Sequence, residues 1–171
     1  TGPSGTLAAT SATFTFTSSE LGAAFECRLD GGSWSSCTSP RLLTGLADGS
    51  HTFEVRALDS LGNLDATPAS RSWTVDTTAP DTSITSGPTG VISSASVTFE
   101  FSSGDATATF ECRVDGGTWS VCTSPRQITG LADRSHTFDL RAIDPVGNTY
   151  ATPESRTWTV RSEKPHRGCE G

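Results

Sequence analysis

The stretch FECRLDGGSWSSC spans residues 25–37, and FECRVDGGTWSVC spans 110–122. Within each, an alternating run meets Asp-Gly-Gly and turns back on itself. Asp-Gly-Gly supplies the positive φ angles that a tight hairpin turn needs. A three-residue loop centred on Gly32 places Cys27 directly opposite Cys37, and Cys112 opposite Cys122 in the second stretch. Cβ atoms across such a pair lie about 4.5–5.5 Å apart, so a small local adjustment admits an S–S bond. Two local disulfides, Cys27–Cys37 and Cys112–Cys122, are therefore expected. Persistent disulfides imply an oxidising, extracytoplasmic setting, so an extracellular or cell-surface location is expected.

The phrase belongs to a longer repeat. The displacement that takes Cys27 to Cys112 also takes Trp34 to Trp119, His51 to His136, Arg56 to Arg141 and Trp73 to Trp158. No insertion interrupts the correspondence from Gly2 to Val75, and more than half of the matched residues are identical. Each copy is long enough to bury a core of its own. The hydrophobic share of 33% suits two modest cores better than one large one.

Both copies alternate with the period of a half-buried strand. In ATFTFTS (12–18), Phe14 and Phe16 share one face and the threonines the other. HTFEVRA (51–57) turns Phe53, Val55 and Ala57 inward, and RSWTV (71–75) turns Trp73 and Val75 inward. Turn signals such as LADGS and DSLGN separate the runs. Several short strands per copy predict an all-β chain of two tandem β-sandwich domains. The boundaries read as 1–76, 77–162 and a polar tail, 163–171. VDTTAP (75–80) forms the joint, where Pro80 limits the backbone.

With those elements in place, FECRLDGG.W..C.SP, GLADGSHTFEVRALDSLGN and TPASRSWTVDTTAPDTSI resemble the tandem Ig-like modules of bacterial secreted and surface proteins. The middle segment also resembles the Leu–Tyr corner of fibronectin type III domains. Leu46 stands at the corner leucine and Phe53 replaces the corner tyrosine. The resemblance implies an Ig-like or fibronectin-like sandwich. Such modules serve as stalks, spacers and adhesive segments on many unrelated proteins.

The ends of the repeat differ. DTSIT (81–85) reads as the opening strand of the second copy, with Ile84 inward, and its counterpart in the first copy falls ahead of Thr1. The first domain is thus expected to lack its first strand. Either the segment is a piece of a longer protein, or a neighbouring molecule supplies the strand. No signal-peptide pattern opens the chain, which reads as a mature or excised piece. At the other end, Cys169 is left over, either for an intermolecular disulfide or as part of an ordinary chain end.

A net charge of −7 and the lack of a basic cluster exclude the usual nucleic-acid footprint. No apolar run approaches the ~18 residues that a membrane-spanning helix needs. No nucleophile motif is present, and no cofactor is expected. His51 and His136 occupy one repeat position at a strand start, which favours hydrogen-bonded turn histidines over catalytic ones. Asp59, Asn63 and Asp65 offer oxygens to calcium, but Asx turns account for them equally well. Trp34 and Trp119, opposite Asp30 and its counterpart, either stack on a glycan or neighbour, or shield their own hairpins and arginines. The only lysine, Lys164, lies in the tail, so neither copy can form an internal Lys–Asn cross-link.

The reading that results is a non-enzymatic extracellular structural module, a stalk, fibre or adhesin segment of a bacterial surface protein. Its partners would be neighbouring domains or subunits. Two alternatives remain: a filament subunit joined by strand donation or through Cys169, and a carbohydrate-binding accessory domain.

Overall fold

The computed structural model describes residues 1–162, and every regular element among them is a β-strand. The chain divides into two compact units, Thr1–Thr78 and a second that starts at Ala79. Beside the expected boundary after residue 76, the Asp48 carboxylate accepts from the Thr77 N–H at 3.0 Å and from the hydroxyls of Thr77 and Thr78 at 2.7 and 2.8 Å. These bonds hold both threonines to the first unit. The second unit repeats the device, with Asp133 accepting from the Ser162 N–H at 3.0 Å. The expected tail, 163–171, and Cys169 within it lie outside the described residues.

The first unit contains β1 (Thr6–Leu7), β2 (Ala12–Phe14), β3 (Ala24–Leu29), β4 (Ser35–Cys37), β5 (Arg41–Leu43), β6 (Gly49–Leu58) and β7 (Ala69–Val75). One sheet has the order β1-β7-β6-β3-β4, and β2 pairs with β5 in the other. The second unit contains β8 (Ser83–Ser86), β9 (Gly90–Ile92), β10 (Val97–Ser102), β11 (Thr109–Val114), β12 (Ser120–Cys122), β13 (Arg126–Ile128), β14 (Ser135–Ile143) and β15 (Glu154–Val160). Its sheets run β12-β11-β14-β15-β9 and β13-β10-β8. The copies match strand for strand except for β8.

Each core is an aromatic contact between its two sheets. Phe14 of β2 stacks on Phe53 of β6 with centroids 4.2 Å apart, and Trp73 tilts against Phe14 at 5.1 Å. Phe99, Phe138 and Trp158 repeat the arrangement at 4.1 and 5.3 Å. Alternation predicted these inward faces because successive strand side chains point to opposite sides. Leu46, at the corner position, is buried, and its N–H donates to Thr10 O at 3.0 Å. Phe53 has no phenol with which to reach that backbone, and it serves as core instead.

Candidate functional site

The repeated hairpin departs from the expected register. Cys37 lies opposite Phe25, and Cys27 opposite Ser35. Asp30 and Gly31 both have positive φ, 51° and 69°, and the Gly32 N–H donates to Leu29 O at 2.9 Å. The turn is thus a two-residue one at Asp30-Gly31, not a three-residue loop centred on Gly32. One extra residue in the returning arm, between Gly32 and Ser35, then makes up the register. Cys27 and Cys37 become diagonal neighbours on one face, bonded, with Cα atoms 5.8 Å apart. Cys112 and Cys122 are bonded likewise, at 6.0 Å.

The same register sets the opposite face. Glu26 and Arg28 of β3 lie beside Arg56 and Glu54 of β6. Arg28 Nε and Nη2 donate to the two Glu54 carboxylate oxygens at 2.6 and 2.9 Å, and Arg56 Nε and Nη2 donate to Glu26 Oε2 at 2.9 and 2.6 Å. The Arg28 guanidinium holds the Glu54 carboxyl below the usual carboxylate range. Trp34 is not opposite Asp30. Its half-buried ring carries the guanidinium carbons of Arg28 and Arg56 at 4.5 and 4.2 Å from its centroid. Trp119 carries Arg113 and Arg141 at 4.5 and 4.3 Å. Each ring thus lies against one arginine of its own hairpin and one of the adjoining strand, β6 or β14. Each guanidinium is therefore shared between a carboxylate and an indole face. Trp34→Ala is expected to cost about 1 kcal/mol through those contacts. A denaturation series against the parent chain checks it.

His51 is held at both ring nitrogens. Nε2 donates to Ala47 O at 2.8 Å, and Nδ1 faces Asp30 Oδ2 at 2.8 Å. The other Asp30 oxygen accepts from the Thr52 N–H at 2.7 Å. His136, Asp115, Ala132 and Thr137 repeat the set, with 2.8 Å from Nδ1 to Asp115 Oδ2 and 2.9 Å from Nε2 to Ala132 O. The sequence pointed to a turn histidine but not to Asp30 as its partner. The usable signal was the Asp of DGG recurring at a fixed distance ahead of the His-Thr pair.

Both neighbours of the His51 ring accept hydrogen bonds, so the doubly protonated ring fits best. The Ala47 carbonyl and then the Asp30 carboxylate raise its pKa above the usual value. Burial pushes Asp30 up, but the bonds from His51 and Thr52 outweigh it, and the net shift is downward. The raised His51 pKa contributes stability that is complete below about pH 6.5 and fades as pH rises through the folded value. The lowered Asp30 pKa contributes stability that is complete above about pH 3.9 and fades as pH falls. Unfolding midpoints from pH 3 to 9 should therefore plateau between these limits, and the alkaline decline should be shallower in His51→Gln.

The calcium candidates turn inward on their own loop. Asp59 Oδ1 accepts from the N–H groups of Leu61 and Asn63, both at 2.8 Å, and Oδ2 from the Asn63 side-chain amide at 2.7 Å. Asp65 Oδ1 accepts from the N–H and hydroxyl of Thr67 at 2.9 and 3.0 Å. Asp59 and Asp65 thus each accept hydrogen bonds within their own loop, as in Asx turns. Among the described residues, no cluster of three His, Cys, Asp or Glu side chains could hold a metal ion.

No family model matches the chain. It is 34% identical over 139 residues to chitinase A1 of Niallia circulans, a match that takes in 74% of this chain and 20% of that protein. The chain thus spans about a fifth of the length of this curated relative. Among solved structures, the fibronectin(III)-like modules of CbhA from Clostridium thermocellum match with a TM-score of 0.51 and 20% identity, over 96% of this chain and 95% of that one. The FN1–FN3 domains of chicken CNTN1 match at a TM-score of 0.47 and 12% identity, over 95% and 66%. The chain resembles fibronectin type III-like bacterial modules, and its fold is fibronectin type III-like.

Proposed function

We propose that the chain is a non-catalytic extracellular spacer, two stapled β-sandwich domains that hold other parts of a larger protein at a distance. One observation carries this reading. The residues best suited to chemistry are engaged inside each unit, and in the same way twice. His51 and His136 have both ring nitrogens occupied, and Trp34 and Trp119 each carry two guanidinium groups. An acid–base histidine needs a nitrogen free to meet substrate. The duplicated disulfides favour an oxidising compartment. A fibronectin type III-like fold and a partial match to chitinase A1 support an accessory segment rather than a reaction centre.

The test is direct. The purified chain is incubated with insoluble chitin and cellulose, then assayed for soluble products and for co-sedimentation. Neither turnover nor retention is expected. Turnover lost in His51→Gln would overturn the reading. Retention on polysaccharide lost in Trp34→Ala with Trp119→Ala would replace the spacer with a carbohydrate-binding module.

A further inference from the structure

In each unit a carboxylate holds the chain that follows the last strand, and a histidine holds the corner that carries this carboxylate. In the first unit, Ala47 and Asp48 lie between the buried Leu46 and the start of β6 at Gly49. Asp48 Oδ1 accepts from the Thr77 N–H and hydroxyl, and Oδ2 from the Thr78 hydroxyl. One residue earlier, Ala47 O accepts from His51 Nε2, while His51 Nδ1 reaches Asp30 on the β3–β4 turn. The contacts therefore run from the hairpin turn through the imidazole to the corner, and from the corner to Thr77 and Thr78. Around the ring, Asp30 is the charged group in contact. Strand β7 presents the uncharged Trp73, with ring centroids 5.5 Å apart, and the Asp48 carboxylate is aimed at the threonines.

The second unit has the same parts and one more. Asp133 takes the place of Asp48 and accepts from the Ser162 N–H and hydroxyl. Ala132 O accepts from His136 Nε2 and also from the Arg134 N–H at 2.9 Å. The Arg134 side chain donates to Asp115 Oδ2 at 2.6 Å, the same oxygen that His136 Nδ1 meets. Both acceptors that hold His136 thus have a further donor, and both donors come from Arg134. The repeat puts Gly49 at that position in the first unit. Glycine has no side chain with which to reach Asp30.

We propose that the first unit carries a pH-sensitive clasp on residues 77–78, opened by loss of the His51 proton, and that Arg134 locks the equivalent clasp of the second unit. The doubly protonated His51 ring donates to Asp30 and Ala47 at once. When one proton leaves, Asp30 is still ionised, so the remaining N–H keeps this stronger, charge-assisted partner. Nε2 then turns a lone pair on Ala47 O, and two acceptors face each other. The corner shifts away, and Asp48 slackens its hold on Thr77. The Ala47 carbonyl and then Asp30 raise the His51 pKa. The clasp is therefore closed below about pH 6.5 and opens as pH rises through the folded value. In the second unit Arg134 supplies Asp115 and Ala132 even when His136 is neutral, so both acceptors stay filled. The clasp is independent of the spacer reading, because it needs only bonds within each unit.

The Thr78 N–H is also held by Asp76, at 3.1 Å, so Thr77 is the better reporter. Amide NMR of the full chain between about pH 6 and about pH 9 tests the proposal. Exchange at Thr77, corrected for its intrinsic rise with hydroxide, should speed up about fivefold, the factor for one net hydrogen bond. Its midpoint should match the titration of the His51 ring. Ser162 should stay constant, and the change at Phe53 should be smaller than that at Thr77. In His51→Gln the response at Thr77 should vanish. Arg134→Gly gives the second unit the residue of the first and should bring the response to Ser162. A flat Thr77, equal responses at Thr77 and Ser162 in the parent, a response that survives His51→Gln, or a flat Ser162 in Arg134→Gly would each overturn the proposal. Equal acceleration at Thr77 and Phe53 would overturn it too, since the whole unit would then be weakening rather than the clasp.

Discussion

Phe138→Ala is expected to destabilise the second unit by about 3–5 kcal/mol, the range for deleting a large buried aromatic. Phe138 is fully buried, with 0% of its surface exposed, and it stacks on Phe99 at 4.1 Å with the planes 9° apart. It sits on β14, paired on one side with Val114 and on the other with Arg156. Both neighbouring strands are held in register by their ladders, so the surroundings can collapse only a little into the space left behind. Most of the cavity cost is therefore retained. The matching change, Phe53→Ala, removes the same ring from the first unit, where a cleft of about 430 Å³ lined by Phe14, Phe16 and Val55 already opens beside it. Water or a rotated Phe16 can fill that space, and the loss should be smaller by about 1 kcal/mol. Urea denaturation followed by tryptophan fluorescence measures both. Equal losses would mean that the cleft does not soften the first core.

This contrast also marks what alternation could and could not convey. Phe14, Phe53, Trp73 and Val75 all stand inward as their spacing implied, because the two-residue period of a strand leaves a core face no other choice. Phe16 obeyed the pattern and yet is only half-buried, its ring set edge-on to Phe25 at 5.0 Å and tilted against Phe53 at 6.1 Å. Period reports which side a residue faces, not whether anything lies on that side.

The hairpin register was harder to read. Asp-Gly-Gly offers several residues that tolerate positive φ, and choosing Gly32 as the centre differs from choosing Asp30-Gly31. Asp30 settles the choice through its side chain, which accepts from His51 and from the Thr52 backbone across the sheet. That bond pulls Asp30 into the turn's left-handed region, a cost that asparagine and aspartate bear better than most residues. No local propensity contains it. Asp59 is similar: the composition DSLGN allows a cation site and an Asx turn alike, and the contact from the Asn63 amide to Asp59 Oδ2 is a detail no local propensity contains.

Removing both disulfides is expected to cost each unit about 2.5–3 kcal/mol, the chain-entropy value for so short a loop. The separation is 10 residues in each case. The size of the effect relative to the local structure matters more than its absolute value. Strands β4 and β12 are only three residues long and stand at the ends of their sheets. Each is anchored to its neighbour by three residue pairs, and β4 has little burial of its own. Without the covalent link, the returning arm should fray before the rest of the unit opens. Trp34 lies on that arm, so fraying also takes the indole from beneath Arg28 and Arg56. Paired alanine variants, Cys27→Ala with Cys37→Ala and Cys112→Ala with Cys122→Ala, avoid burying an unpaired hydroxyl, which serine would introduce. Amide exchange at Ser36 and Val121 should accelerate strongly in these variants, ahead of any change at Phe53 or Phe138. Uniform acceleration across a unit would instead mean that the hairpin and the core open as one, and that the disulfide acts on global unfolding alone.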